Sequence, residues 1–270
     1  MTRLTSDDLN QGPKDLTAYD ERLKTVTGIN LLELALRTAA ITPSHYQYKV
    51  LSLTSVAVVP ITVGQGVLPG FAEKVAEVGR YLGLPCGVTN AKDVAGVREA
   101  VTSGSEMIVL ADDDTFLALN LISRRVIDNS IATGEIYAAA LAAAAKGVSG
   151  RYVGVLGLGP VGQAAAVWLD SHDAMVIVHD KNQTKQFNFL SGRGKMIGAK
   201  QVEEILDRTN LILDATNESN IIKARELRGS LILSAPGIPL GIDDPNAPMV
   251  QVIHDPLQLG VAAMMVQALL

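Results

Sequence analysis

Two groups of residues in this chain have types and spacing that could do chemistry. In the first, Gly157-Leu158-Gly159-Pro160-Val161-Gly162 follows the apolar run Tyr152–Leu156 and opens the small-residue run Gln163-Ala164-Ala165-Ala166-Val167-Trp168-Leu169. Between a strand and a helix, each glycine has a task. Gly157 permits the tight turn, Gly159 lets backbone approach a pyrophosphate, and Gly162 lets helix and strand pack closely. Leu158, Pro160 and Val161 complete the cradle, whose N–H groups at the helix start face the anion. A second apolar run, Ala174–Val178, ends in His179-Asp180. Asp180 stands where an acid accepts hydrogen bonds from the adenosine ribose, and its charge repels a 2′-phosphate. The expected cofactor is therefore NAD, with Lys181 the one neighbour that favours NADP; His179 is read as a spectator.

The second group is Asp112-Asp113-Asp114, directly after the apolar run Met107–Ala111. Adjacent carboxylates repel one another, and a cation relieves that repulsion. The site therefore suits an amine substrate, with one carboxylate taking a proton from nitrogen as hydride leaves the adjacent carbon. Asp113, the central one, is the first candidate base and Asp114 the second, with Asp112 a substrate contact. An acidic surface turn is the alternative reading.

These groups need a scaffold. Residues 6–39 read as helices, with Thr5, Ser6 or Asp7 as first cap; the first is either an outer layer or a movable lid, and its polarity favours the outer layer. From Tyr48 the chain turns apolar and β-branched, through Val56–Val59. A helix from Phe71 to Leu82, a strand Cys86–Thr89, a helix Val94–Thr102 and the strand Met107–Ala111 follow. That alternation predicts a parallel sheet in a smaller N-terminal α/β domain. The loop 61–66, with Ile61 and Thr62 as candidate substrate contacts, leaves the carboxyl end of a strand, where loops of open sheets converge on ligands. A helix from Glu135 to Lys146 joins this domain (1–130) to a Rossmann dinucleotide-binding domain (149–254). There Ala215, Thr216, Ser234, Ala235 and Pro236 follow strands beside the expected nicotinamide ribose, ordinary turn residues being the alternative. A last helix begins at Asp255-Pro256, with Asp255 as N-cap, and could cross back to the first domain.

Composition narrows the class. The chain has 270 residues, a net charge of −5 and one cysteine, Cys86. That excludes an intramolecular disulfide and argues against a nucleic-acid surface. Four scattered histidines make a metal site unexpected. The polar first residues and the short Ala-rich run 136–145 give no signal peptide or membrane span, so a cytoplasmic protein is expected.

Five motifs together resemble one family. Val59-Pro60-Ile61-Thr62-x-Gly64-Gln65-Gly66, Ala111-Asp112-Asp113-Asp114-x-Phe116-x-Ala118-x-Asn120, the glycine turn, Ala235-Pro236-Gly237-x-Pro239-Leu240-Gly241 and His254-Asp255-Pro256-Leu257-Gln258-x-Gly260-Val261-Ala262 are similar to the pyrrolysine biosynthesis dehydrogenases, PylD. The resemblance implies an NAD-dependent oxidation of the small isopeptide L-lysine-Nε-(3R)-methyl-D-ornithine at its terminal amine. A semialdehyde results that closes to pyrrolysine with loss of ammonia and water. It implies a substrate held between the domains, with Leu4 and Asn120 among its contacts, the catalytic acid among Asp112–Asp114, and the helix after Leu4 folding over the site as a lid. The residues alone reach only an amine-oxidising dehydrogenase. They leave open a dehydrogenase of another small amino acid or hydroxy acid, or a non-catalytic NAD-binding sensor.

Overall fold

The computed structural model describes residues 15–53, 55–63 and 68–270. Leu4, the helix expected just after it and the 64–66 part of the β1 loop lie outside the described residues. The first described helix, α1 (Leu16–Thr27), starts where the Asp15 carboxylate accepts the Thr17 N–H, and Gly28 ends it in the left-handed region at φ 79°. A reciprocal capping box between Asn30 and Glu33 starts α2 (Leu31–Thr38). Thr42 caps α3 (Pro43–Ser52), whose proline sits at the first turn. The apolar stretch from Tyr48 is thus half helix, and only Val56–Val58 forms strand β1.

The N-terminal sheet then adds α4 (Phe71–Tyr81), β2 (Cys86–Val88), α5 (Asp93–Thr102), β3 (Met107–Ala111), β4 (Phe116–Asn120) and β5 (Arg125–Asp128). Its order is β2-β1-β3-β4-β5. β1 runs parallel to β2 and β3, whereas β4 and β5 are antiparallel additions. This corrects the expectation of an all-parallel sheet. Residues 112–115 are too few for a crossover, so the chain must fold back on itself. The signal was in the sequence: Phe116, Ala118 and Asn120 are buried and alternate with half-exposed Leu117 and Leu119.

Asp128 at the end of β5 accepts the Ser130 N–H (2.7 Å) and so starts helix α6 (Asn129–Ala144), about two turns before the expected Glu135. The residues 129–134 look helix-poor, yet Gly134 is there for packing. A Cβ at Gly134 would collide with the Val161 carbonyl of the helix lying across it.

The second sheet is wholly parallel. It comprises β6 (Tyr152–Leu156), α7 (Pro160–Ser171), β7 (Met175–His179), α8 (Gln183–Leu190), β8 (Ile197–Gly198), α9 (Val202–Leu206), β9 (Leu211–Asp214), β10 (Leu231–Ser234) and β11 (Val250–Ile253). The order β11-β10-β9-β6-β7-β8 reverses direction between β6 and β9, which creates a crevice at their carboxyl ends. The last helix, α10 (Gln258–Ala268), is buried on every side, as its apolar sequence requires. It packs on α6, α2, α4 and the β4–β5 hairpin, so it does return to the N-terminal sheet. Asp255 is not the N-cap residue itself, but its Oδ1 accepts the N–H groups of Leu257 (2.9 Å) and Leu259 (3.3 Å). One apolar core runs from α2 and α10 through α6 into β6 and β7. Among the described residues no helix is long and apolar enough to cross a membrane.

Candidate active site

The glycine turn has the form that a dinucleotide requires. Gly157 has φ 81°, and a Cβ there would also sit 2.9 Å from the Ala215 carbonyl oxygen. A Cβ on Gly162 would collide with the Gly157 carbonyl oxygen, so β6 and α7 can approach this closely only with glycine. Gly159, the N-cap of α7, differs: nothing lies within 4 Å of where its Cβ would stand. The backbone there faces open space lined by Gly157, Pro160, Val161, Asp180, Lys181, Ala215 and Thr216. An open cradle in front of a helix N-terminus fits a pyrophosphate.

Asp180 lies at the end of β7, only 7% exposed. Its Oδ2 accepts the Leu158 N–H (2.7 Å) and its Oδ1 the Asn182 N–H (2.8 Å), with Lys185 Nζ 3.5 Å away. Burial pushes the carboxyl's pKa up, but these two N–H groups and the Lys185 charge outweigh burial and leave it below the usual carboxylate value. An ionised acid is thus fixed in place with lone pairs to spare for ribose hydroxyls. Lys181 forms an ion pair with Glu218 on the opposite wall of the crevice.

The loops after β9 and β10 form the other half of the crevice. Asp214, fully buried, accepts both the backbone N–H (3.0 Å) and the hydroxyl (2.7 Å) of Thr216 and so orients that side chain. Burial raises the Asp214 pKa; the Thr216 bonds oppose the rise without cancelling it. Gly237 packs against the Thr216 backbone, where a Cβ would collide. Pro236 is half-buried in this loop. Ser234 is turned away from the crevice. It is fully buried, and its Oγ donates to the Tyr137 carbonyl of α6 (2.7 Å), an anchor between sheet and helix. Ala235 is likewise buried, its N–H given to Ile253.

In the N-terminal sheet, Asp112 Oδ1 accepts the N–H groups of Asp114 and Thr115 (2.8 Å each), which closes the β3–β4 turn. Asp113 is half-buried and Asp114 exposed. Thr62 is fixed by Asp93, which accepts its N–H (2.7 Å) and its hydroxyl (2.6 Å); these bonds hold the Asp93 carboxyl below its ordinary pKa. Ile61 packs beside Ala57, Val59 and Ile108. The pairing register carries the argument further. Ala111 lies opposite Phe116 and Leu117 opposite Asp128, so the carboxylate turn and the start of α6 share one sheet edge. Ser130, in the first turn of α6, lines the same crevice as Gly157, Gly159 and Asp180. The two strand spacings between β3 and β5 put the turn about 10 Å from that start. Asn120 is drawn to the other edge. Its Nδ2 donates to the Ala268 carbonyl (2.8 Å) and its Oδ1 accepts the Ile122 and Ser123 N–H groups, so it ties α10 to the β4–β5 turn.

Sequence reasoning passed over Ser130 and His254. The first was hidden by the late start assigned to its helix. The second stands exposed at the end of β11, its Nδ1 2.7 Å from the Ala235 carbonyl oxygen. A carbonyl only accepts, so Nδ1 carries the proton and Nε2 faces outward as an acceptor in the neutral ring.

A doubly wound parallel sheet with a glycine cradle and a buried acid at the end of its second strand defines a Rossmann-type α/β protein of two lobes. Residues 8–127 match the N-terminal domain of the pyrrolysine biosynthesis protein PylD. The chain is 32% identical over 271 residues to the pyrrolysine synthase of Methanosarcina barkeri, covering 100% of this chain and 98% of that one. It is 30% identical over 268 residues to the pyrrolysine synthase of Methanosarcina acetivorans, covering 98% of each. The chain belongs to the PylD family of pyrrolysine biosynthesis proteins. Among solved structures, the quinate dehydrogenase of Corynebacterium glutamicum in complex with NAD covers 78% of this chain and 86% of its own at 11% identity, with a TM-score of 0.48.

Proposed function

We propose that this chain is an NAD-dependent dehydrogenase that oxidises the terminal amine of L-lysine-Nε-(3R)-methyl-D-ornithine. In this reading residues 149–254 form the cofactor domain and 1–130 the substrate domain, with α6 and α10 between them. The observation that carries it is the shared edge: the only run of three consecutive carboxylates in the sequence ends β3 on the side where Ser130 enters the dinucleotide crevice.

Gly157 to Gly162 hold the pyrophosphate through backbone N–H groups, and Asp180 holds the ribose. The cations nearest that ribose are already paired, Lys181 with Glu218 and Lys185 with Asp180, which favours NAD over NADP. Bound NAD supplies the hydride acceptor. The Asp112–Asp114 turn draws the substrate ammonium, and Asp113 takes one of its protons, so that the nitrogen lone pair can form the C=N bond as hydride leaves the carbon. Water then replaces ammonia at that carbon. The semialdehyde closes on the substrate's own amine with loss of water.

The test is Asp113→Asn assayed by NADH formation with the isopeptide. Turnover should fall roughly 10²–10⁴-fold, the range for removal of a general base, while NAD affinity is kept. Unchanged turnover assigns the base elsewhere.

A further inference from the structure

At the facing first turns of α10 and α6, two buried amide groups are left with unspent hydrogen-bonding capacity. Gln258, the first residue of α10, is 3% exposed, and its Oε1 has no partner; Asn129, the first residue of α6, has a buried Nδ2 with none. Such atoms are expensive to bury, and most in folded proteins are satisfied. The two first turns face each other. Gly260 leaves room for Thr133 and Asn129, and a Cβ on it would stand 3.2 Å from Asn129 Nδ2. Thr133 Oγ1 donates to Asn129 Oδ1 (3.2 Å), which fixes the amide with its donor unspent. The next residue, Ser130, lines the crevice.

One acceptor and one donor, both neutral, match a group that carries one N–H and one C=O. We propose that Gln258 Oε1 and Asn129 Nδ2 form a subsite for the substrate's isopeptide unit, Gln258 accepting its N–H and Asn129 donating to its carbonyl oxygen. This inference rests on the proposed isopeptide substrate. It adds a specificity determinant: the amide is read by side chains of the two helices between the sheets, apart from the carboxylates that meet the reacting amine.

The test pairs Gln258→Leu and Asn129→Asp with two substrates, the isopeptide and its ester isostere, in which the amide N–H is replaced by oxygen. Gln258→Leu should raise KM for the isopeptide roughly 10- to 100-fold, the range for a buried partner left unpaired, with KM for NAD unmoved. The ester should cost the wild type a similar factor and cost Gln258→Leu little, because the acceptor it fails to satisfy is already gone. Asn129→Asp keeps the shape but turns a carboxylate on the carbonyl oxygen, so its KM for both substrates should rise. An unchanged KM with a lowered melting temperature means that the pair serves only the fold, and equal ester penalties in wild type and Gln258→Leu overturn the amide contact. If Gln258→Leu does not fold, Asn129→Asp alone decides. A wild-type protein that ignores the isopeptide but reduces NAD with another amine refutes the function proposed above instead.

Discussion

Gly159→Ala and Gly162→Ala separate a position kept open for a ligand from one closed by packing. At Gly159 the backbone has φ −64°, which alanine accepts, and the added methyl meets nothing within 4 Å. The cost to the fold should be no more than about 1 kcal/mol, the typical loss when a favourable N-cap becomes alanine. The methyl would instead stand where a pyrophosphate must approach. NAD affinity should drop at least about tenfold, which is roughly 1.4 kcal/mol. At Gly162 the methyl collides with the Gly157 carbonyl oxygen and sits 3.4 Å from the Ala215 Cβ, so β6 and α7 must separate. Overpacking of that kind costs about 1–3 kcal/mol, partly offset by up to about 1 kcal/mol of helix propensity. Gly162→Ala should therefore lose both melting temperature and NAD affinity, whereas Gly159→Ala loses affinity with the smaller change in melting temperature. Thermal melts with and without NAD, together with calorimetric titration, read both quantities. Wild-type NAD affinity in Gly159→Ala would refute the placement of the pyrophosphate over that residue.

Further expectations concern buried polar groups. Asp180→Ser should raise the ratio of NADP to NAD turnover, as measured by kcat/KM for each, since it removes the charge facing the ribose 2′ position. The raised pKa of Asp214 gives a pH dependence: its stabilising effect is complete below the unfolded carboxylate value of 3.8 and is lost as pH rises through the folded value. Asp214→Asn, which can still accept both Thr216 bonds, should therefore gain melting temperature relative to wild type as pH rises, and a constant difference would exclude ionisation as the cause. Tyr19 Oη donates to Asp255 Oδ2 at 2.6 Å between α1 and the start of α10, both groups buried. Tyr19→Phe should cost about 1–3 kcal/mol in urea unfolding, the penalty for leaving a buried acceptor without its donor.

The sequence makes the second sheet legible because glycine spacing, strand and acid each answer one steric or electrostatic need that few other structures share. Gly157, Gly159 and Asp180 stand together around one crevice, and Gly162 packs behind them against the Gly157 carbonyl. The N-terminal lobe is less legible. Asp112-Asp113-Asp114 looks like a strand-end cluster, yet the N–H groups that Asp112 accepts from Asp114 and Thr115 make it a hairpin turn, and that pairing is non-local information. The early start of α6 is hidden because Gly134, unfavourable in an isolated helix, is required by the crossing of α7. Ser234 and Asn120 have side chains suited to ligands, but their partners, Tyr137 and Ala268, are distant in sequence, and only the fold reveals that they are already used.

The most direct test of hydride abstraction from the terminal amine carbon is a single incubation of the protein with NAD and the isopeptide deuterated at that carbon. Reduced cofactor carrying one deuterium, with one ammonia released per turnover, is the predicted result. Absence of NADH formation, or NADH without the label, would contradict it.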